Sequence, residues 1–239
     1  STKTVEEKKE YYSDGRLANI IKIQDGIEIE KVKYIYNDTS EFNTTKLTYK
    51  NNQLFFGELF YKDGKIALTT PYVNGIRNGV SKSYNRFGKV DVEYKYLDDN
   101  LIEEFEYEYY DSGELNFKRT IKDKKVNGLA TKYYKNGKID FQGNYINGLA
   151  SGEVKQYYEN GNLKQTNYYI NGNTNGLEKK YYENGRLNWE VNIVNNKSDG
   201  VYKDYYSSSG QLNHLGFYRN GKLEGKAYTY YENGKVKIE

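Results

Sequence analysis

The side chains that most often carry out chemistry are scarce in this sequence. His214 is the only histidine and cysteine is absent, so neither a histidine-based catalytic triad nor a zinc site of the usual composition can be assembled. His214 follows a turn glycine by four residues, as the apolar Trp189 and Phe141 do, which predicts a packing role. The 33 acidic residues include no pair at a recognisable catalytic spacing. We therefore expect no enzymatic activity, no metal and no cofactor.

Glycine-rich turns and scattered basic residues raise the question of anionic ligands. The segment from Gly172 to Gly176 leads into a predicted strand, and without a helix N-terminus it lacks the usual phosphate-binding geometry. The 36 basic residues are interleaved with acids and form no concentrated stripe. No run of about 18 apolar residues is present to span a membrane. The sequence therefore argues against nucleic-acid binding and against membrane-surface binding.

One stretch has an uneven charge. Between Asp91 and Glu108, eight acidic residues are accompanied by Lys95 alone, within a chain whose formal net charge is +3. A charge run of this kind is usually the solvated face of a secondary-structure element. The alternative interpretation is an acidic docking patch, and both stay open at this point.

A repeat of 24 or 25 residues runs through the chain. Its marker is a turn glycine that follows an aromatic pair, as in the segment from Tyr181 to Leu187. The marker glycines are Gly15, Gly64, Gly88, Gly113, Gly137, Gly161, Gly185, Gly210 and Gly234. The wide interval after Gly15 holds one more unit, with Ser40 in place of the glycine. The array therefore has about ten units and covers residues 1–239.

Each unit is predicted to be a β-hairpin. A second turn, often Asn-Gly, separates the units, and apolar and polar residues alternate between the turns, as in the segment after Gly185. We expect Gly161 and Gly185 at positive φ and a less stringent turn at Asn195. The predicted fold is all-β: an elongated, single-layer antiparallel β-meander solenoid, with irregular repeats around residues 19–58 and 91–108.

Two columns of aromatic residues recur at the repeat period. The first column includes Tyr109, Tyr133, Tyr157, Tyr181 and Tyr205, and the second column includes the tyrosines that follow them, Tyr110, Tyr134, Tyr158, Tyr182 and Tyr206. Because adjacent residues of a strand face opposite ways, one tyrosine ladder should run along each face of the sheet. A single layer has no second sheet to cover it, so at least one ladder should be structural. The other is a candidate binding face.

The repeat resembles a known family. The pattern Tyr-Tyr-x-Asn-Gly-Lys/Arg-Leu, seen from Tyr133 to Ile139, Tyr157 to Leu163, Tyr181 to Leu187 and Tyr230 to Val236, is similar to the MORN repeat variant of the MORN_2 type. Arrays of this type are grouped with YwqK-like antitoxins of bacteria, and many occur in exported proteins. The resemblance implies a twisted antiparallel β-meander. It also implies a bacterial protein that is exported or at the cell surface, with a cytoplasmic location as the alternative.

The function predicted from these features is a non-catalytic protein–protein interaction or scaffold module, whose partner is another protein. Two alternatives stay open, namely a YwqK-like antitoxin that neutralises a toxin by direct binding and a carbohydrate-binding surface on the tyrosine ladder. Assembly into a homo-oligomer is compatible with the sequence. The predicted partner-binding residues are Tyr109, Tyr133, Tyr157, Tyr181, Tyr205, Glu103, Glu104, Glu106 and Glu108. An acidic patch of this kind would select a basic partner and make its association sensitive to salt.

Overall fold

Every regular element of the structure is a β-strand. The computed structural model describes residues 4–238, and no helix occurs in that range. The first eleven strands are β1 (Val5–Tyr11), β2 (Leu17–Gln24), β3 (Ile27–Tyr36), β4 (Phe42–Lys50), β5 (Gln53–Tyr61), β6 (Ile66–Val73), β7 (Ile76–Arg77), β8 (Gly79–Tyr84), β9 (Val90–Leu97), β10 (Asn100–Tyr109) and β11 (Leu115–Lys122). The others are β12 (Lys125–Tyr133), β13 (Ile139–Ile146), β14 (Leu149–Tyr157), β15 (Leu163–Ile170), β16 (Asn173–Thr174), β17 (Gly176–Tyr181), β18 (Leu187–Val194), β19 (Lys197–Tyr205), β20 (Leu212–Arg219), β21 (Lys222–Leu223), β22 (Tyr228–Tyr230) and β23 (Val236–Ile238).

The chain divides into two compact units, the first ending at Glu106 and the second beginning at Tyr107. In unit 1, consecutive strands pair antiparallel, for example β2 with β3 and β4 with β5. Unit 2 follows the same plan, for example β12 with β13 and β14 with β15. The short strands β7, β16 and β21 are the first parts of strands that continue as β8, β17 and β22. The predicted all-β antiparallel meander of hairpins is confirmed.

Two kinds of turn alternate along the chain. In the aromatic turn, Gly185 N–H donates to the carbonyl of Tyr182 (2.9 Å), and Tyr182 N–H donates to the carbonyl of Arg186 (2.8 Å). Gly185 has a φ of 86° and Gly161 a φ of 96°, so the prediction of positive φ at these glycines is confirmed. The side chain of Asn184, by contrast, accepts a hydrogen bond from the Arg186 N–H (3.0 Å). Within this turn, only Gly185 has a positive φ.

The linker turn is stricter than the sequence predicted. Asn195 and Asn196 have φ values of 48° and 66°, and the equivalent Asn171 and Gly172 have values of 50° and 80°. Two consecutive residues at positive φ are typical of the type I′ hairpin turn, which matches the twist of the flanking strands. The prediction of a less stringent turn at Asn195 is therefore wrong, because both of its central residues are left-handed.

The irregular repeats keep their strand pairing. Within residues 19–58, β3 pairs with β4 around the Ser40 turn, where the Ser40 hydroxyl accepts a hydrogen bond from the Phe42 N–H (3.1 Å). Within residues 91–108, Asp98 and Asp99 form the linker turn with φ values of 48° and 63°. Asp and Asn tolerate positive φ better than other non-glycine residues do. The loss of glycine in these repeats therefore alters the turn residues and leaves the hairpins intact.

The two faces of the sheet differ in unit 2. Cross-strand pairing from β11 to β20 places Val154, Val191 and Ile193 on one face, where they are 5%, 4% and 6% exposed. Ala130 lies on the same face and is 1% exposed. We call this the core face. The opposite side, which carries the residues that alternate with these, is called the open face.

Candidate functional site

The second tyrosine column joins consecutive repeats. Each hydroxyl donates a hydrogen bond to the backbone carbonyl oxygen of the first-column residue in the next repeat. In unit 2 these bonds run from Tyr110 to Tyr133 (2.7 Å), Tyr134 to Tyr157 (2.7 Å), Tyr158 to Tyr181 (2.7 Å), Tyr182 to Tyr205 (2.9 Å) and Tyr206 to Tyr230 (2.7 Å). The hydroxyl of this column is therefore committed to the fold, and the column is structural.

The first column, which was predicted to bind a partner, lies on the other side of the sheet. The Tyr205 hydroxyl donates to Glu190 Oε1 (3.0 Å), and Glu190 is the cross-strand partner of Lys179 on the open face. Tyr182, in contrast, lies near Asp204 on the core face, where burial and the Asp204 charge raise its pKa. The two tyrosine ladders thus face opposite ways. The five predicted tyrosines, Tyr109, Tyr133, Tyr157, Tyr181 and Tyr205, are all half-buried.

The predicted acidic residues are not equivalent. In unit 1, the exposed Glu103 forms an ion pair with Lys95 (3.0 Å). Glu104 and Glu106 are two residues apart on β10, so they lie on the same face of the strand, and both are half-buried. The pKa of Glu104 is raised, mainly by burial and secondarily by the charge of Glu106. Raising the pKa weakens the preference of this carboxyl for its charged form.

Glu108 belongs to unit 2 and also has a basic partner. Its Oε1 lies 2.8 Å from the guanidinium of Arg119. Of the four predicted patch residues, Glu103 and Glu108 are therefore paired with cations. The negative charge that these acids offer to a basic partner is smaller than the sequence alone predicted.

His214 does not have the predicted packing role. Its side chain is 46% exposed, and its Nδ1 lies 2.8 Å from Oδ2 of Asp204, its cross-strand partner. The Tyr202 hydroxyl donates to the same carboxylate (3.2 Å). Burial and the Asp204 charge raise the pKa of Tyr202 to about 12. These groups line a shallow pocket of about 200 Å³. The packing prediction is wrong because the neighbouring strand supplies a carboxylate that orients the imidazole ring.

Metal-ligating side chains are dispersed. Among residues 4–238, no three His, Asp or Glu side chains come close enough together to hold a metal ion. Within the same range, no helix is long and apolar enough to cross a membrane.

A further tyrosine column on the core face was missed in the sequence. Tyr145, Tyr169 and Tyr218 lie directly across from Gly128, Gly152 and Gly200 of the neighbouring strands. Burial is the main reason why the pKa values of Tyr145 and Tyr169 are raised. The spacing of 24 between Tyr145 and Tyr169 is the signal that could have identified this column. The three facing glycines have positive φ values of 114°, 82° and 129°, a conformation that favours glycine.

Comparison with known families identifies the repeat. Residues 126–147, 150–171, 174–195 and 223–239 match the MORN repeat variant. The chain contains MORN-variant repeats. The four matched segments lie in unit 2, and each covers an aromatic turn and the strands on either side of it. The predicted MORN-variant repeat is therefore confirmed.

Solved structures that resemble the MORN-variant array include the TcdB2–TccC3 complex with Cdc42, at 12% identity over 99% of this chain and a TM-score of 0.29. A second is the Tc holotoxin pore of Photorhabdus luminescens, at 12% identity over 98% of this chain and a TM-score of 0.30. This chain spans 18% of each of those chains. A third is a protein of unknown function from Bacteroides fragilis, at 10% identity, with 95% of this chain and 93% of that chain covered and a TM-score of 0.16. No curated protein sequence matches this chain.

Proposed function

We propose that the MORN-variant array is a non-catalytic protein-interaction or scaffold module. The observation that carries this proposal is the division of labour between the two tyrosine columns. The Tyr158 hydroxyl is bound to the Tyr181 carbonyl of the next repeat, whereas the first-column rings of Tyr157 and Tyr181 lie half-exposed on the other face. Tyrosine supplies a large contact area at a low cost in side-chain ordering. A face that repeats such rings is suited to binding another protein.

The first-column residues are tested with a protein partner isolated by affinity capture. Replacing Tyr157 and Tyr181 with Ala should speed dissociation of that partner, because the rings would supply contact area in the complex. Replacing the same residues with Phe keeps the rings and should leave the dissociation rate close to that of the parent protein. Thermal melting of each variant shows whether the array is still folded. A partner whose dissociation rate is the same for all three proteins would place the site elsewhere.

The acidic residues are tested separately. If Glu103, Glu104, Glu106 and Glu108 dock a basic partner, reversing Glu104 and Glu106 to Lys should slow association while dissociation changes little. The effect should fade at high salt, because exposed charges are screened within about 8–10 Å. An association rate that does not respond to either salt or the two reversals would remove these acids from the proposed site.

We also propose that the protein is bacterial and exported or surface-associated, with a cytoplasmic antitoxin as the alternative. The support is the family resemblance. The complete reading frame tests the two locations, because a signal peptide or a lipidation motif upstream of Ser1 favours export. A toxin gene next to the reading frame, together with rescue of toxin-treated cells by this chain, would favour the antitoxin.

A further inference from the structure

The open face of unit 2 carries a row of exposed apolar side chains. Leu129, Leu177 and Val201 occupy equivalent positions in their repeats and are 45%, 49% and 47% exposed. Phe217 is the cross-strand partner of Val201, and Tyr168, on β15, continues the row. Leu177 and Val201 are one repeat apart, roughly 9–10 Å, whereas Leu129 lies two repeats from Leu177, with Glu153 at the equivalent position between them. Single exposed apolar residues are ordinary, but Tyr168, Leu177, Val201 and Phe217 lie close together on strands β15 to β20, and a cluster of this kind is typical of a surface that binds partners.

Basic residues are concentrated on the same face. Among the charged strand residues of unit 2 that have a cross-strand partner, pairing places nine basic and two acidic residues on the open face. The basic residues are Lys118, Lys122, Lys125, Lys155, Lys179, Lys197, Lys203, Arg219 and Lys222, and the acidic residues are Glu153 and Glu190. The sequence predicted no basic stripe, because along the chain these residues alternate with acids. Counted in the same way, the core face carries three basic residues (Arg119, Lys132 and Lys180) and two acidic ones (Glu178 and Asp204), so strand pairing concentrates the basic residues on the open face.

The lysines and the apolar row occupy different positions across the open face. Lys155, Lys179 and Lys203 lie on the side of the aromatic turns, two residues from the first-column tyrosines. Lys197 and Lys222 lie at the linker turns, on the far side of the apolar row. Glu153 is 2.9 Å from Lys155, and Glu190 is 3.9 Å from Lys179. Lys203 lies between two cross-strand partners, Glu190 on β18 and the apolar Leu215 on β20. An apolar centre with a charged rim is the usual anatomy of a protein–protein interface.

We propose that the open face of unit 2 binds an acidic protein surface, one that presents an apolar ridge flanked by Asp and Glu side chains. This inference rests on the protein-binding function proposed above, and it specifies the face and the chemistry of the partner. The apolar row contacts the ridge, and the lysines on both sides of the row pair with the flanking carboxylates. The partner is thus opposite in charge to the basic protein predicted from the acidic residues of β10.

The composition of the face favours a protein over other polyanions. Eight of the nine cations are lysines, whereas arginine is the residue that binds phosphate in a bidentate manner. Interfaces with nucleic acid are polar and positively charged throughout, without an aliphatic centre. Insertion into a bilayer requires an apolar face that sinks about 5–10 Å past the headgroups. Leu177 and Val201 are only about half-exposed, and Lys179 and Lys203 lie two residues further along their strands on the same face, so this face lacks the continuous apolar surface that insertion requires.

The test is selection of a random dodecapeptide phage library on the full chain. Enriched peptides should combine Asp and Glu with Leu, Ile or Phe, and their affinity should fall as salt rises. Lys179→Glu should weaken the binding of a selected peptide about tenfold or more, because it places a like charge against the peptide carboxylates. Lys180→Glu is the matched control, since Lys180 is the next residue of β17 and lies on the core face. Its effect should be small. Thermal melting confirms that both variants are folded.

Several outcomes would overturn the inference. Selected peptides that are basic, or that bind the Lys179→Glu and Lys180→Glu variants equally well, would exclude the open face as the binding site. A library that yields no enriched sequence would exclude it as well. Phosphatidylserine vesicles or a single-stranded DNA 20-mer that bind the parent tightly and lose binding with Lys179→Glu would assign the face to another polyanion. Basic peptides that depend on Glu104 and Glu106 would contradict this inference while supporting the protein-binding function. If the library yields no peptide and the first-column tyrosine variants still bind every natural partner as the parent does, both this inference and the proposed protein-binding function would be contradicted.

Discussion

The hydroxyl of Tyr158 donates a hydrogen bond of 2.7 Å to the backbone carbonyl oxygen of Tyr181, one repeat further along the chain. Tyr134 makes the same bond of 2.7 Å to Tyr157 in the preceding repeat. The donor stands at the start of one aromatic turn, and the acceptor stands at the end of the next incoming strand. Each turn is thereby tied to its neighbour. In a solenoid, contacts between adjacent repeats of this kind supply much of the stability.

Removing this hydrogen bond should destabilise the array. Tyr158→Phe keeps the ring but leaves the Tyr181 carbonyl without its donor, which should cost about 1 kcal/mol of unfolding free energy. The measurement is equilibrium unfolding in urea. Tyr157→Phe is the matched control, because Tyr157 shows no hydroxyl hydrogen bond in the described part of the chain, and it should cost clearly less. Equal losses in the two variants would show that the bond contributes nothing specific.

The two turn types should be similarly sensitive to a β-branched residue. Gly185 has a φ of 86° and Asn195 a φ of 48°, so Val is strained at either position. Gly185→Val and Asn195→Val should each cost about 1–3 kcal/mol of unfolding free energy. Asn195→Gly should be neutral or stabilising, because glycine adopts the φ of 48° found there without strain. Unchanged melting temperatures for both Val variants would contradict these turn conformations.

A methyl group at Gly143 should disturb the core face. A Cβ at this position would lie 2.8 Å from Cγ2 of Val154, although its backbone conformation is one that other residues adopt. Gly143→Ala should therefore cost about 1–3 kcal/mol of unfolding free energy through overpacking. At Gly57 in unit 1 the nearest atom, Cε2 of Tyr72, is 3.4 Å away, so Gly57→Ala should be milder.

The double variant Gly143→Ala with Val154→Ala separates overpacking from other effects. If the clash with Val154 is the cause, the two substitutions together should cost less than the sum of the single losses. Additive losses, measured by urea unfolding of all four proteins, would mean that the cost of the methyl group arises elsewhere.

Stability should decline at alkaline pH. Burial is the main cause that raises the pKa values of Tyr134, Tyr202 and Tyr205 to about 12, with added contributions from nearby carboxylates. In the unfolded chain, a tyrosine titrates near a pKa of about 10. The unfolded state therefore loses its protons first, so the stabilisation is fully present below about pH 10 and is lost as the pH rises to about 12.

The melting temperature between pH 8 and pH 11.5 measures this decline. Glu190→Gln should lessen the decline, because Glu190 accepts the hydrogen bond of the Tyr205 hydroxyl and contributes to its raised pKa. A melting temperature that stays constant between pH 9 and pH 11.5 would contradict the raised pKa values.

The hairpin array could be predicted from the sequence because its determinants are local. Glycines such as Gly185 recur at a fixed spacing, and alternation between turns indicates strands without knowledge of any distant contact. The turn at Asp98 and Asp99 kept the pairing even where glycine was lost, since a turn requires only residues that tolerate positive φ. The prediction was wrong for the linker turn at Asn195, because the Asn195-Asn196 pair does not show from the sequence that both residues are left-handed.

Which side of each strand is buried, and what faces each residue, was decided only by the tertiary structure. Ala130 is 1% exposed, and the larger Leu129 beside it is 45% exposed, so hydrophobicity alone misassigns them. His214 was assigned to packing because its carboxylate partner, Asp204, is contributed by the adjacent strand. The physical reason is common to both cases. Alternation defines the two faces of one strand, but the neighbours on each face come from other strands, and only strand pairing brings their side chains together.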